Sequence, residues 1–288
     1  MPSSDSDKIL MAVLKRVLKK AFDLIFSPKR SETKEEKKSP PKTSDEAAGK
    51  SHPWRLCPIG QHWVRAHPLT VPASETRPER VTTRRGHCRV NKSKTEFYMA
   101  EELTEIAERY FGELASDPQM MPTPDTLGFP NGNEYDLLIA GWTKFWNEIL
   151  EPKDPLTPDF VKALIATESS FLLPRDQHSR DGAARGLIQV TENTRKILQN
   201  LKGELQDHHI ELTPEESREP TTNIAAGIRW LHHKKRLAER RLKRPITWEE
   251  AGAEYKGIFP QLGKVKKSDQ IMKDLRKLHK RLKDQRKQ

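Results

Sequence analysis

The sequence predicts a mainly α protein with a small irregular β module between residues 53 and 94. Three observations predict it. From about residue 95 onward apolar residues recur at spacings of three and four, the period of a helix that buries one face. Helix-starting signatures stand at Thr157-Pro158-Asp159, Thr213-Pro-Glu-Glu216 and Thr247-Trp-Glu-Glu250, each offering a capping hydroxyl and acids in the first turn. Nothing between residues 134 and 260 alternates apolar with polar convincingly, as half-buried strands would.

Charge divides the chain further. The net charge of +11 over 288 residues is made of +4 in residues 1–30, +7 in 53–95, +8 in 261–288 and −8 in 96–260. An acidic middle between basic flanks points to a polyanionic partner held by the flanks, whether nucleic acid, anionic lipid or wall polymer. The length allows one sizeable core with appendages.

Residues 1–27 read as a cationic amphipathic helix, with Leu10, Leu14, Val17, Leu18, Ala21 and Ile25 at helical spacing and Lys8, Lys15, Arg16, Lys19 and Lys20 on other faces. Such a helix lies on an anionic surface or packs on its own protein. Its apolar stretch is broken by basic residues and no small-residue cleavage site follows, so neither a secretion signal nor a membrane span is expected. Residues 28–52 read as a flexible linker. Residues 53–94 read as a small basic β module, from Trp54, Trp63, the runs His62-Trp-Val-Arg65 and Arg80-Val-Thr-Thr83, and prolines that forbid helix. Cys57 and Cys88 are too few for a disulfide scaffold. With His62, His67 and His87 they form a pool of zinc-ligating types, but adjacent ligands at 87 and 88 suit one tetrahedral ion poorly, and no metal is assigned. Whether the two cysteines pair is left open by the spacing.

Residues 95–260 read as the helical domain, with helices over Thr95–Leu114 and Glu134–Leu150, one after Thr157 and others after the two capping boxes, broken by the Pro/Gly-rich stretch 117–132. The histidine pairs 208–209 and 232–233 have no third ligand at metal spacing and are expected on surfaces. Residues 261–288 read as a basic helical tail with a narrow apolar stripe of Ile271, Leu275, Leu278 and Leu282.

The helix after Thr157 runs Phe160-Val-Lys-Ala-Leu-Ile-Ala-Thr-Glu168-Ser169. Partial burial and the negative end of the helix dipole both disfavour an ionised carboxylate there, so the pKa of Glu168 is expected to rise, as a general acid working near neutrality needs. The plain alternative is a surface glutamate near a helix end. Downstream stand Gly186-Leu187-Ile188-Gln189, then Asn223-Ile224 with Gly227, then Glu254-Tyr255-Lys256-Gly257. In this order and spacing the four segments resemble the soluble lytic transglycosylase family, which has a lysozyme-like fold related to goose-type lysozyme. Glu168-Ser169 matches its Glu-Ser pair, and Ile188 replaces the usual Met of Gly-Leu-Met-Gln. Lys256 stands where the family has Asn, which puts the local sugar contact in doubt.

The resemblance spans about residues 158–258 and implies a lysozyme-like all-α catalytic domain. It implies a peptidoglycan lytic transglycosylase that cleaves between N-acetylmuramic acid and N-acetylglucosamine, with Glu168 as acid and then base and 1,6-anhydro ends as product. Substrate contacts are implied at Ser169, Ser179, Ile188, Gln189, Asn223 and Tyr255. Each has a bland reading too: Gln189 could only tie down a loop, Asn223 could cap its helix, and Trp230 reads as core. No cofactor and no metal are expected. The partners expected are peptidoglycan glycan strands, with contact to anionic membrane or wall polymer through residues 8–26 and 264–288. The place of action expected is the cell wall, in the periplasm or envelope, reached without a classical signal peptide. The rivals are a hydrolytic goose-type-like lysozyme, a phage lysin or secreted effector using Asp181 as second carboxylate, and a non-catalytic wall- or membrane-binding protein on a degenerate fold. Nucleic acid is not expected, for no reading motif accompanies the charge.

Overall fold

The computed structural model describes residues 54–91, 95–173, 176–179, 182–199 and 203–287. The helix expected over 1–27 and the linker over 28–52 lie outside the described residues. The first described elements are antiparallel strands: β1 (Gln61–Val64) pairs with β4 (His87–Val90), and between them β2 (His67–Val71) pairs with β3 (Arg80–Arg84). Cys57 and Cys88 are joined in a disulfide, which answers the question the spacing left open. Trp54 is buried against Tyr110 and Phe111 in the main core. Glu96 accepts hydrogen bonds from Arg55 and from the backbone N–H of Gly60, so the strands are tied to the helical body.

The helix expected from Thr95 starts five residues later. Strand β5 (Phe97–Met99) precedes α1 (Ala100–Tyr110) and pairs in parallel with β9 (His209–Glu211), a tertiary pairing that overrides local helix preference. Then follow α2 (Asp136–Leu150), α3 (Pro158–Ser169), strands β6 (Gln177–Ser179), β7 (Gly182–Arg185) and β8 (Val190–Thr191), and α4 (Glu192–Leu198). After β9 come α5 (Pro220–Leu242), α6 (Trp248–Tyr255) and α7 (Lys266–Arg286). The three-stranded sheet β6-β7-β8 corrects the expectation of helix alone over 134–260; strands of two to four residues are too short to alternate visibly. The Thr247–Glu250 capping box opens α6 as expected. Its counterpart Thr213–Glu216 forms both reciprocal bonds but closes only the short 3-10 turn Glu216–Arg218. Pro220 has no N–H for a continuing helix and begins α5 instead.

α3 is the centre of the mainly α body. From Phe160 to Ala166 every residue is buried, packed against α2, whose Trp142, Phe145 and Trp146 are buried, and against α7 with its Met272, Leu275 and Leu282. Residues 266–286, expected as part of a tail, are therefore packed into the core. Its basic side chains answer the acidic body at defined places: Arg281 binds Asp125 at 2.6 Å, Arg286 binds Asp159 at 2.7 Å and His279 meets Glu249 at 2.8 Å. The histidine pairs are also a correction: His209, His232 and His233 are buried. Burial pushes His232 down to about 3 and His233 to about 4, so they pack as neutral rings. Trp230 is buried as expected. Among the described residues no helix is long and apolar enough to cross a membrane.

Candidate active site

Thr157 caps α3 by accepting a hydrogen bond from the Phe160 N–H at 3.4 Å, and Pro158 fills the first helical position. The helix then stays buried until Thr167 and Glu168, where the core meets solvent. Directly after Ser169 the chain turns sharply through two non-glycine residues with left-handed backbone, Ser170 (φ 56) and Phe171 (φ 58). Such conformations persist only where packing enforces them; the fully buried Phe171 ring supplies that packing, against Phe129. The Glu168 side chain, 15% exposed, is thus fixed at the mouth of the core rather than on a free surface.

Linked to it through Tyr255, which feels the Glu168 charge and bonds to Ile188, is the turn Gly186-Leu187-Ile188-Gln189 between β7 and β8. Gly186 has φ 73, and a Cβ there would lie 2.4 Å from the Asn223 side chain; a Cβ on Gly227 would lie 2.1 Å from Ile188. Both glycines are therefore needed for close approach. Asn223, fully buried at the start of α5, accepts from the Ile188 N–H at 2.9 Å and donates to the carbonyls of Arg185 and Ser217. Gln189 Nε2 donates to the Gly186 carbonyl at 2.7 Å. Tyr255 at the end of α6 donates its hydroxyl to the Ile188 carbonyl at 2.6 Å. Burial, reinforced by the charge of Glu168, holds that hydroxyl well above its ordinary pKa and so protonated.

The expectation of an unfavourable place for the Glu168 carboxylate meets an unexpected answer. Lys256 Nζ lies 2.7 Å from Glu168 Oε1, its side chain 8% exposed. Sequence reasoning found Lys256 only as a departure from a motif. The signal was there, but a contact across 88 positions has no local spacing to betray it.

The remaining expected residues fall as follows. Ser169 is buried, its hydroxyl 3.4 Å from the Ile165 carbonyl one turn back. Ile188 is buried against Gly227. Ser179 pairs with Gly182 across β6 and β7, and Asp181 lies outside the described residues. Glu192, at the start of α4, binds Arg185 and Arg195, whose hydrogen bonds hold it down at about 2. Among the described residues no group of three or more His, Cys, Asp or Glu could hold a metal ion.

The four segments thus converge: the carboxylate on α3, the turn at 186–189, the asparagine that fastens that turn, and the tyrosine-lysine pair that touches both. Residues 147–276 match the family model described as Transglycosylase SLT domain. These residues are similar to an SLT domain. No curated protein matches the chain. The SLT domain is lysozyme-like and mainly α, and it belongs to a peptidoglycan-acting, glycosyl-cleaving class that works on the cell wall. All four segments lie within the matched residues.

Proposed function

We propose that this SLT-like domain is a lytic transglycosylase in which Glu168 moves the reacting proton, first as general acid and then as base. The carboxylic acid protonates the glycosidic oxygen between N-acetylmuramic acid and N-acetylglucosamine as the bond from the muramic anomeric carbon breaks. The 6-hydroxyl of the same muramic residue then bonds to that carbon, and its proton returns to Glu168. Proton and oxygen both balance within the sugar, no water is consumed, and a 1,6-anhydro end is left. The observation that supports this reading is the placement of Glu168: an acid at the one partly open turn of the central helix, inside the matched domain, linked through Tyr255 to a turn that Asn223 and Gln189 also brace. Gln189 and Tyr255 shape that wall for an acetamido sugar, while Ser169, Ile188 and Asn223 act through packing.

The disulfide fits work in an oxidising compartment outside the cytosol. The solvent-facing lysines of α7, together with residues 8–26, are proposed to favour anionic wall polymer or membrane.

Digestion of purified sacculi, with mass spectrometry of the released muropeptides, tests the reaction. The expected products end in anhydro-muramic acid, lighter than hydrolytic products by one water, and form equally with a chelator present. Glu168→Gln keeps the fold and lowers the rate at least about a hundredfold. Reducing muramic ends would assign hydrolysis instead, and a folded Glu168→Gln protein at wild-type rate would remove Glu168 from the chemistry.

A further inference from the structure

The contact between Lys256 and Glu168 sits awkwardly with a general acid. A proton donor must be free to take up and release its proton, whereas the Glu168 carboxyl is engaged by an ammonium 2.7 Å away. Lys256 is also built to stay there. It caps α6, its backbone N–H bonded to the Gly252 carbonyl at 3.0 Å, and a cation suits the negative end of a helix. Yet an ammonium has three donors, and among the described residues Glu168 is the one hydrogen-bond acceptor recorded for it. Among the described residues two donors therefore remain for whatever enters the site.

We propose that Lys256 is a positioning residue that gates Glu168. In the substrate-free molecule its ammonium pins the carboxylate in an ion pair. When a glycan strand enters, its acetamido or lactyl oxygens take up the free ammonium donors, the pair opens, and Glu168 collects a proton from solvent before donating it to the glycosidic oxygen. The long stem of lysine permits this exchange without movement of α6. This rests on Glu168 being the acid. Other charged groups on the elements around this end of α3 are already committed: Arg185 to Glu192, Arg241 to Glu254, while Tyr255 is a neutral hydroxyl on Ile188. An asparagine at 256 would hydrogen-bond without charge, so the gate is a property of lysine at this position.

The test is the pH dependence of kcat and kcat/KM on purified peptidoglycan strands, measured for the whole chain and for Lys256→Asn, Lys256→Gln, Lys256→Arg and Glu168→Gln, with thermal melting as the folding control. In Lys256→Asn or Lys256→Gln, whichever melts like the parent, activity is expected to persist to higher pH. The falling alkaline limb moves up by about one pH unit, and the rate at a pH on that limb rises up to about tenfold, since one unit is a factor of ten. Lys256→Arg keeps the charge and restores the wild-type profile. A folded neutral variant with the wild-type profile, or one that is inactive at every pH, overturns the gate. If Glu168→Gln retains the parent's rate, the acid assignment falls and the gate with it, whereas an inactive Glu168→Gln beside an unshifted neutral variant overturns the gate alone.

Discussion

The central helix carries a lysine-carboxylate pair near each end, and the two are built differently. Near the N-terminal end, Lys162 is wholly buried and spends its donors on three acceptors: the Thr123 carbonyl at 2.9 Å, Asn133 Oδ1 at 2.8 Å and Asp136 Oδ2 at 2.8 Å. Even so, burial pushes Asp136 up to about 6. At the C-terminal end Lys256 holds Glu168 alone, with solvent within reach of both. A saturated pair has nothing to exchange and serves the fold. An unsaturated pair at the surface of the core can trade partners, which is what a site for chemistry needs. Two lysine-carboxylate pairs at similar distance thus differ in how many acceptors surround the ammonium.

That contrast can be broken most severely by removing what surrounds the first pair. Deletion of residues 264–288 takes away α7, with the fully buried Met272, Leu275 and Leu282 and the Arg281 and Arg286 contacts. Truncating one such side chain costs about 2–5 kcal/mol against a total stability of about 5–15 kcal/mol. The deleted chain is expected to show no cooperative melt by circular dichroism. A cooperative melt near that of the parent would return the segment to the role of an appendage.

Next in size is the comparison itself. Lys162→Met leaves the Asp136 carboxylate buried and uncompensated and is expected to cost about 3–5 kcal/mol in urea unfolding. The same substitution at Lys256 is expected to cost less, about 1.5–3 kcal/mol, the range of a hydrogen bond to a charged group, because water can reach Glu168. Equal losses would show that both pairs are structural.

The smallest effect sharpens the comparison with a carboxylate that has no cation in contact among the described residues. Glu102 on α1 is buried and accepts the Trp63 N–H at 3.1 Å; burial pushes it up to about 7. Its folded pKa lies above the unfolded one, so its stabilising share is complete below about 4.5 and is lost as pH rises through about 7. Glu102→Gln keeps the acceptor oxygen without the charge. Measured by urea unfolding at pH 6 and at pH 8, the variant is expected to gain about 1 kcal/mol on the parent over that interval. No change in the difference would mean that Glu102 ionises freely in the folded chain.

Much of the fold could be read from the sequence because its signals are local. Thr157-Pro158 and the Thr247–Glu250 box name their own helix starts, and the four motif segments pointed to residues that the fold brings together. What escaped was decided at a distance. Phe97–Met99 reads as helix until it meets β9 more than a hundred positions later. The stripe on α7 was visible, but a stripe does not say whether a partner face exists, and its basic face masked how much of it is buried. The histidine pairs look solvated because two adjacent polar residues rarely both turn inward; here α5 is enclosed on most of its circumference. Lys256 was noticed for what it replaces, with nothing to say what it touches.

The separation of 88 positions between Glu168 and Lys256 sets an order in time as well as in space. Synthesis delivers α3 first and α6 much later, with the Tyr255 hydroxyl that braces Ile188 arriving beside Lys256 and α7 following after. A chain that stops before α6 holds the carboxylate and the turn at 186–189 but neither the Lys256 ammonium nor the Tyr255 brace, so the surroundings of Glu168 are completed only by α6.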